Sequence, residues 1–310
     1  MDSNIGILVT GGFGMVGTAM HDILPNAVFL SSKDCDLRDQ KQCNEFVKKV
    51  NPGCIIHLAG RVGGVKANSE YLADFFYDNI MMNTNVLESA RRIGVKKVIS
   101  MLSTCVYPDN IEYPLIEDNI HNGNPHTSNF AYAYAKRMLD VQSRAYRKQY
   151  GCNFITAIPN NLYGENDNFD LENSHVIPAI IRKVWEAKLN DGVVRLWGDG
   201  SPLREFTYSR DIAKILIFLM ENYNDPYPIN IGNVSEVSIK TVVGIVCKHL
   251  GFKGRIEWDA SKPTGQFRKP STNSKLINLG WDQSRYTQLK DGLKDTCTWF
   301  KKSYPNIRGV

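Results

Sequence analysis

The sequence predicts an α/β protein, a doubly wound parallel sheet with a smaller α/β lobe folded against it. Two observations carry this expectation. Short runs of β-branched and aliphatic residues alternate with longer helical stretches, the mark of βαβ units around a parallel sheet. The first run then leads into a glycine-rich turn that opens a helix. Strands are expected at residues 5–9, 27–30, 54–58, 97–102, 153–158, 193–197 and 228–231. Helices are expected between them, at 15–23, 40–50, 71–92, 131–150, 176–187 and 210–221. The later third carries more Gly, Pro and Trp punctuation. It reads as a smaller lobe on the sheet's carboxyl edge, where such sheets bind ligands. The expected division is 1–165 for the sheet domain, with 205–235 returning to it, and 166–204 plus 236–310 for the second lobe.

The 310 residues suffice for one large core or two joined ones. Hydrophobic residues at 43% and charged residues at 22% are ordinary globular composition. Mean hydropathy is −0.30, and no apolar run approaches the roughly 18–20 residues that span a bilayer. A net charge of +5 without any dense Lys/Arg block excludes a nucleic-acid surface and suits an anionic small ligand such as a nucleotide. Seven cysteines without a C-x-x-C pair and six histidines without metal spacing support neither a disulfide framework nor a zinc site. The opening Met1-Asp2-Ser3-Asn4 carries no basic stretch or cleavage pattern, so a cytosolic location is expected.

The first strand runs into Thr10-Gly11-Gly12-Phe13-Gly14-Met15-Val16-Gly17. Gly11 allows a tight turn, Gly14 lets backbone approach a pyrophosphate, and Gly17 permits close packing of helix on strand. The helix then offers free N–H groups to phosphate. This is a Rossmann-type dinucleotide loop. The second strand ends at Leu30-Ser31-Ser32-Lys33, where a chain that binds NAD usually places Asp or Glu for the ribose 2′-hydroxyl. Hydroxyls and a lysine suit a 2′-phosphate, so NADPH/NADP+ is the expected cofactor. Asp36 and Leu37 would flank the adenine, and Met15, Val16, Ala59 and Leu162 complete the expected cofactor wall. His57, inside an apolar run, reads as a core histidine.

Ser103 follows the fourth strand, and Tyr132 and Lys136 stand i and i+4 on one helix face. An ammonium beside a phenol favours the phenolate. The tyrosine would exchange a proton with a carbonyl oxygen that Ser103 holds, while Lys136 grips the cofactor ribose. Trp197 offers a face for stacking on a base.

The order Thr10-Gly11-x-x-Gly14-x-x-Gly17, Ser103-x-x-x-Tyr107, Tyr132-x-x-x-Lys136 resembles the extended short-chain dehydrogenase/reductases, two-lobed enzymes acting on nucleotide sugars. Residues 102–108, 131–140, 159–164 and 174–178, with Val62-Gly63-Gly64, Leu196-Trp197-Gly198 and Arg204-Glu205-Phe206, narrow the resemblance to members that epimerise and reduce a keto-sugar carried on GDP. It runs from residue 5 to about 300. It implies that Cys105 takes a proton and His175 returns one from the opposite face, an unlike pair that both titrate near neutrality. It also implies Arg204 and Lys269, with Arg182 nearby, against a diphosphate, Asn161 against the substrate, and a homodimer paired through the long helices. Two departures stand out. Asn160 replaces the family's usual threonine, and Ser31-Ser32-Lys33 replaces the arginine that bacterial members place on the 2′-phosphate.

Three rivals are weighed. A 4,6-dehydratase would follow its strand-end hydroxyl with Asp-Glu, where Thr104 is followed by Cys105-Val106. A simple 4-epimerase has no use for a Cys105–His175 pair. A catalytically silent NADP-binding regulator typically lacks the Tyr or Lys of the helix motif, and both are present.

Overall fold

The computed structural model describes residues 6–261 and 267–310. The chain alternates β1 (Ile7–Thr10), α1 (Met15–Ala19), β2 (Val28–Leu30), α2 (Gln40–Val50), β3 (Cys54–His57), α3 (Val65–Glu70), α4 (Leu72–Ile93), β4 (Lys97–Met101), α5 (Phe130–Tyr150) and β5 (Phe154–Pro159). It continues through β6 (Asn161–Tyr163), α6 (Val176–Leu189), β7 (Val194–Trp197), β8 (Leu203–Tyr208), α7 (Ser209–Asn222) and β9 (Ile229–Ile231). The remaining elements are β10 (Glu236–Ser238), α8 (Ile239–Leu250), β11 (Ile256–Asp259), α9 (Ser274–Asn278) and α10 (Leu289–Ser303).

The main sheet is parallel, in the order β2-β1-β3-β4-β5-β9. Its strands alternate faces, and the residue pattern follows. Ile7 and Val9 share one core with Ile56, Ile99 and Ile155, closed by Ile212, Ile215 and Leu216 of α7. Leu8, Ile55, Val98 and Phe154 point into the other core, against Val47 of α2, Val86 and Leu87 of α4 and Leu139 of α5. Both faces are buried, so the strands of the sheet centre are apolar at most positions, with Thr10, His57, Lys97, Ser100 and Thr156 the polar exceptions. The strand order reverses at β1, between β2 and β3, and this opens a crevice at their carboxyl ends.

A second core gathers α6, α8 and α10 around the three-stranded β10-β8-β6 sheet and the parallel β11-β7 pair. At the amino end of β4, buried Lys97 reaches the carbonyls of Leu219 and Met220 at 2.9 and 2.7 Å. There its charge meets the negative end of α7. α2 takes the expected bounds because Asp39 caps it, accepting from Gln42 N, and Asn51 closes it in the left-handed region. α1 stops at Ala19 rather than residue 23. Met20 and His21 bond back three residues, to Gly17 and Thr18, and the chain tightens into turns. Ile5, the first residue of the expected opening strand, lies outside the described residues. Among those described, no helix is long and apolar enough to cross a membrane, and no cluster of His, Cys, Asp and Glu could hold a metal ion.

Candidate active site

The glycine loop lies at the crevice. Gly11 has φ +67°, and a Cβ there would stand 2.8 Å from Ala59 N, at the end of β3. A Cβ on Gly17 would meet Gly11 O at 2.4 Å. Gly14 caps α1 in an extended conformation with no side-chain cap, so the first N–H groups of the helix face outward. Thr10 Oγ1 accepts from Ala59 N at 3.3 Å, which locks β1 to β3. Beyond β2, Ser31 is folded onto Asp34, whose carboxylate accepts from its N and Oγ at 2.9 and 2.6 Å. Ser32 and Lys33 are exposed; Lys33 N donates to Ser31 Oγ at 3.3 Å, and neither side chain has a hydrogen-bond partner among the described residues. A tight backbone cradle with unpaired hydroxyl and ammonium groups at one end fits a dinucleotide carrying a 2′-phosphate. Asp36 is held by Arg38 at 2.8 Å, and Arg38 reaches on to Asp78. Leu37 is buried, with its carbonyl accepting from Asn85. Met15, Leu58 and Leu162 pack on the core cluster beneath the crevice, and Val16 is buried in it.

His57 is a satisfied core residue. It is 1% exposed, with Nδ1 2.7 Å from Thr10 Oγ1 and Nε2 3.0 Å from Asn83 Oδ1. Burial drives its pKa down to about 4, so the ring stays neutral.

Lys136 is buried and donates to Met101 O at 2.9 Å, pinning the end of β4 just ahead of Ser103. Its ammonium is 5.9 Å from the Tyr132 ring centroid. Burial lowers its pKa to about 8. The expected phenolate does not form here. Burial of Tyr132, reinforced by repulsion from a Cys105 thiolate, holds its pKa well above 10. Desolvation outweighs the neighbouring ammonium, so the phenol is a proton donor at neutral pH. Ser103 starts a short 3₁₀ turn over residues 104–106, its Oγ accepting from Cys105 N. Cys105 packs with Ala67, Phe75 and Tyr132, and Phe75 meets the Tyr132 ring edge-on at 6.2 Å.

The segment before His175 is joined to this cluster through a glycine pair. Gly64 N donates to Asn173 O at 2.9 Å, and a Cβ on Gly64 would stand 2.6 Å from Ser174 O. A Cβ on Gly63 would meet Phe75 and Ala67 at 3.1 and 3.2 Å. Residues 63–64 therefore bridge the segment before His175 to the Cys105–Tyr132 cluster. His175 caps α6 with no side-chain cap bond. Its side chain is exposed to the recess, yet the surrounding protein lowers its pKa by desolvation. Burial raises that of Cys105, opposed by Ser103 and the charges of Lys269, Lys136 and Arg137. The pair is thus driven apart rather than poised together near neutrality.

Lys269 and Arg204 lie close enough to act on each other, and burial lowers both their pKa values. Arg204 donates to carbonyls only, Leu203 O at 2.7 Å and Phe267 O at 3.3 Å. Lys269 has no hydrogen-bond partner among the described residues. Two neighbouring desolvated cations, with Asp109 acting on Lys269 and Glu236 on Arg204, suit an anion. Trp197, at the end of β7, leaves 59% of its surface open. Asn161 donates to Glu205 O at 2.9 Å. Arg182 departs from expectation. Its guanidinium is committed to Glu186 at 2.6 Å and to the carbonyls of Phe169 and Gly309, so it does not join the two cations. The next residue, Lys183, projects to another face and donates to Arg195 O in β7, two residues before Trp197.

Sequence reading missed Glu205. It is 2% exposed and accepts from Ser271 N and Oγ at 2.9 and 2.6 Å, with Asn160 Nδ2 at 3.4 Å. This carboxylate ties the strand of Arg204 to the segment of Lys269. Asn160 in turn donates to Asn233 O and accepts from Thr207 Oγ1, at 2.7 and 2.6 Å. Two adjacent charged residues, Arg204 and Glu205, in the otherwise hydrophobic and hydroxyl pattern of 203–208 were the available signal.

A glycine cradle at the switch point of a parallel sheet, with a buried Tyr-x-x-x-Lys pair beside the next strands, defines a dinucleotide-dependent oxidoreductase. The chain belongs to the NAD dependent epimerase/dehydratase family, whose model matches residues 7–232. Over nearly its full length it is similar to several GDP-L-fucose synthases. It is 41% identical to that of Dictyostelium discoideum, covering 97% of each chain. Against that of Sinorhizobium fredii it is 42% identical over 93% of this chain and 92% of that one. The crystal structure of a GDP-L-fucose synthetase from Naegleria fowleri bound to NADP matches with a TM-score of 0.95 and 41% identity, covering 99% of this chain and 96% of that one.

Proposed function

We propose that this protein is a GDP-L-fucose synthase, converting GDP-4-keto-6-deoxy-D-mannose to GDP-L-fucose by epimerisation at C3 and C5 and reduction at C4. The observation that carries the reading is the position of Cys105. It packs on Tyr132, which serves the ketone, and feels the charge of Lys269, which serves an anion. A plain 4-reductase needs no thiol there.

The ketone acidifies the protons on C3 and C5, and inversion needs a base on one face and an acid on the other. Cys105 is the base and His175 the acid. Lys269 beside Cys105 favours the thiolate. Ser103 and Tyr132 donate to the enolate oxygen on O4. After each inversion the thiol holds a proton that the imidazole has lost, and solvent resets the pair. NADPH, when bound, supplies the hydride that reduces C4. Tyr132, protonated at neutral pH, gives O4 its proton, and Lys136 holds the tyrosine's helix against the end of β4. Gly11, Gly14 and Gly17, with Met15 and Val16, would hold the pyrophosphate. Ser32 and Lys33 would take the 2′-phosphate, while Asp36, Leu37, Ala59 and Leu162 would line the ring pockets. Arg204 and Lys269 face the GDP diphosphate, Trp197 stacks on guanine, and Asn161 faces the sugar.

Pairing of two copies through α4 and α5 belongs to the same reading. Phe76 and Tyr77 of α4 and Met138 and Val141 of α5 are exposed, and sedimentation would give the stoichiometry. A cytosolic location accords with seven free cysteines. The test is NADPH oxidation with GDP-4-keto-6-deoxy-D-mannose and identification of the product by NMR. GDP-L-fucose supports the proposal. An unepimerised reduced sugar would leave a reductase and remove the Cys105–His175 roles.

A further inference from the structure

The recess that holds His175 is walled on one side by Gly64. Its other side is built from residues far along the chain. The loop between β6 and α6 is knotted around Asp170. The Asp170 carboxylate accepts from the backbone N of Glu172 and Asn173, at 2.9 and 2.8 Å, and from Asn173 Nδ2 at 2.9 Å. Asp170 O accepts from Ser174 N at 2.9 Å. His175 follows directly.

That knot does not stand alone. Phe169 is fully buried, 4.8 Å from the Phe300 ring and stacked on Trp299 of α10. Phe169 N donates to Arg308 O at 2.9 Å. The Arg182 guanidinium donates to both Phe169 O and Gly309 O while paired with Glu186 on its own helix. Gly309, at φ +88°, lies so close that a Cβ would stand 2.3 Å from Asp170 N and 2.4 Å from Asn168 Oδ1. Asp167, just before, is buried with Oδ2 unpartnered.

We propose that Arg182 and residues 308–309 form a clamp on the 168–174 loop that positions His175 for proton return, and that Arg182 is a positioning residue. The inference rests on the functional reading above. It accounts for a guanidinium that, besides its pair with Glu186, is spent on two carbonyls, one from each segment. Lateral freedom of the loop would move the imidazole relative to the substrate carbons. Ser103, on the turn after β4, and Tyr132 and Lys136, on α5, would stay in place.

The test compares wild type with Arg182→Met, Arg182→Lys and Gly309→Ala. Backbone hydrogen exchange is followed across 168–176, and products from GDP-4-keto-6-deoxy-D-mannose and NADPH are partitioned by NMR. Because a displacement near 1 Å costs on the order of 10²-fold, the epimerised share should fall at least about tenfold in Arg182→Met and Gly309→Ala. Exchange in the loop should quicken, KM for NADPH and ketone reduction should hold, and Arg182→Lys should restore part of the loss. Gly309→Ala removes no side chain and guards against misfolding of the Arg182 variants. A loosened loop with an unchanged epimerised share would overturn the proposal, as would an unchanged loop. A wild-type chain that leaves the ketone untouched sinks the functional reading instead, and the exchange data alone then decide whether the clamp exists.

Discussion

Replacing Gly64 by alanine adds one methyl group where the structure leaves no room. The new Cβ would lie 2.6 Å from Ser174 O and 3.5 Å from Ser174 C. Both are backbone atoms, so no side chain can swing aside. Restoring ordinary contact demands a shift of about 0.8 Å between the 63–64 turn and the 173–174 segment. The bond from Gly64 N to Asn173 O, 2.9 Å long, would stretch with it. His175 is the next residue, so its imidazole moves by a similar amount. A misplacement of that order costs about 10²-fold in a proton-transfer step, or ~2.7 kcal/mol. The loss should fall on epimerisation alone, since Ser103, Tyr132 and Lys136 are held by β4, the turn that follows it and α5. The assay runs the purified variant with GDP-4-keto-6-deoxy-D-mannose and NADPH in deuterated solvent, reading label at C3 and C5 and the product by NMR. Deuterium incorporation should drop by about 10²-fold, with an unepimerised reduced sugar accumulating. Gly63→Ala is the internal control. Its Cβ meets the Phe75 ring and Ala67 methyl at 3.1 and 3.2 Å, which yield more easily, so it should lose less. Wild-type exchange at both carbons in Gly64→Ala would refute the argument that this turn sets the position of His175.

Tyr132→Phe should cut ketone reduction by at least ~10²-fold, with NADPH affinity, read by fluorescence titration, within a few-fold of wild type. Unimpaired reduction would remove the phenol from its role. Cys105→Ser replaces a thiol by a far weaker acid, so exchange at C3 and C5 should become undetectable while reduction persists; full fucose output would discard the base assignment. Acid stability offers a test of the core rather than the site. Folded His57 holds its proton only below about pH 4, against 6.5 when unfolded, so the unfolded state binds the proton first as pH falls. The stabilisation is complete above pH 6.5 and lost toward pH 4, about 3 kcal/mol in all. In urea titrations His57→Gln should flatten the stability–pH slope across that window relative to wild type, and an identical slope would contradict the buried neutral ring.

The sheet centre was legible because strands buried on both faces are rich in apolar residues, as β1, β3, β4 and β5 are even with Thr10, His57, Lys97, Ser100 and Thr156 among them. The glycine loop was legible because its spacing is demanded by contacts between backbones, as the Gly11 and Gly17 distances show. The second lobe was harder to see. β8 carries Arg204 and Glu205 inside a strand, both drawn in by partners distant in sequence, so its pattern lacks an apolar run. β10 and β11 are three- and four-residue strands with mixed faces. α8 and α10 went unassigned although each is long and half buried. The Arg182 expectation failed for a related reason. The resemblance placed Arg182 near the diphosphate, on the helix after His175, but a helix turns about 100° per residue. Only the fold shows that residue 182 looks toward 308–309 and residue 183 toward β7.

Proton affinities were the least legible feature, because they depend on how desolvation and charge balance at each atom. Proximity of Lys136 argued for a lowered Tyr132 pKa, and burial raises it. Cys105 moves up and His175 down. The free site therefore keeps phenol, thiol and imidazole neutral, which avoids uncompensated charge in a desolvated recess. This suits reduction directly, since Tyr132 must hold a proton to give one. It does not suit epimerisation, which needs the thiolate and the imidazolium. The cations to hand, Lys269 and Lys136, favour the thiolate and leave the imidazolium without comparable help. Recruitment of the ionic pair then becomes the costlier half of the chemistry. The two activities of one site should separate on a pH axis. Ketone reduction should stay level across neutrality, where Tyr132 remains protonated. Deuterium exchange at C3 and C5 should follow a bell whose limbs are set by Cys105 and His175. Parallel profiles for the two activities would mean that proton supply to Cys105 and His175 does not limit inversion.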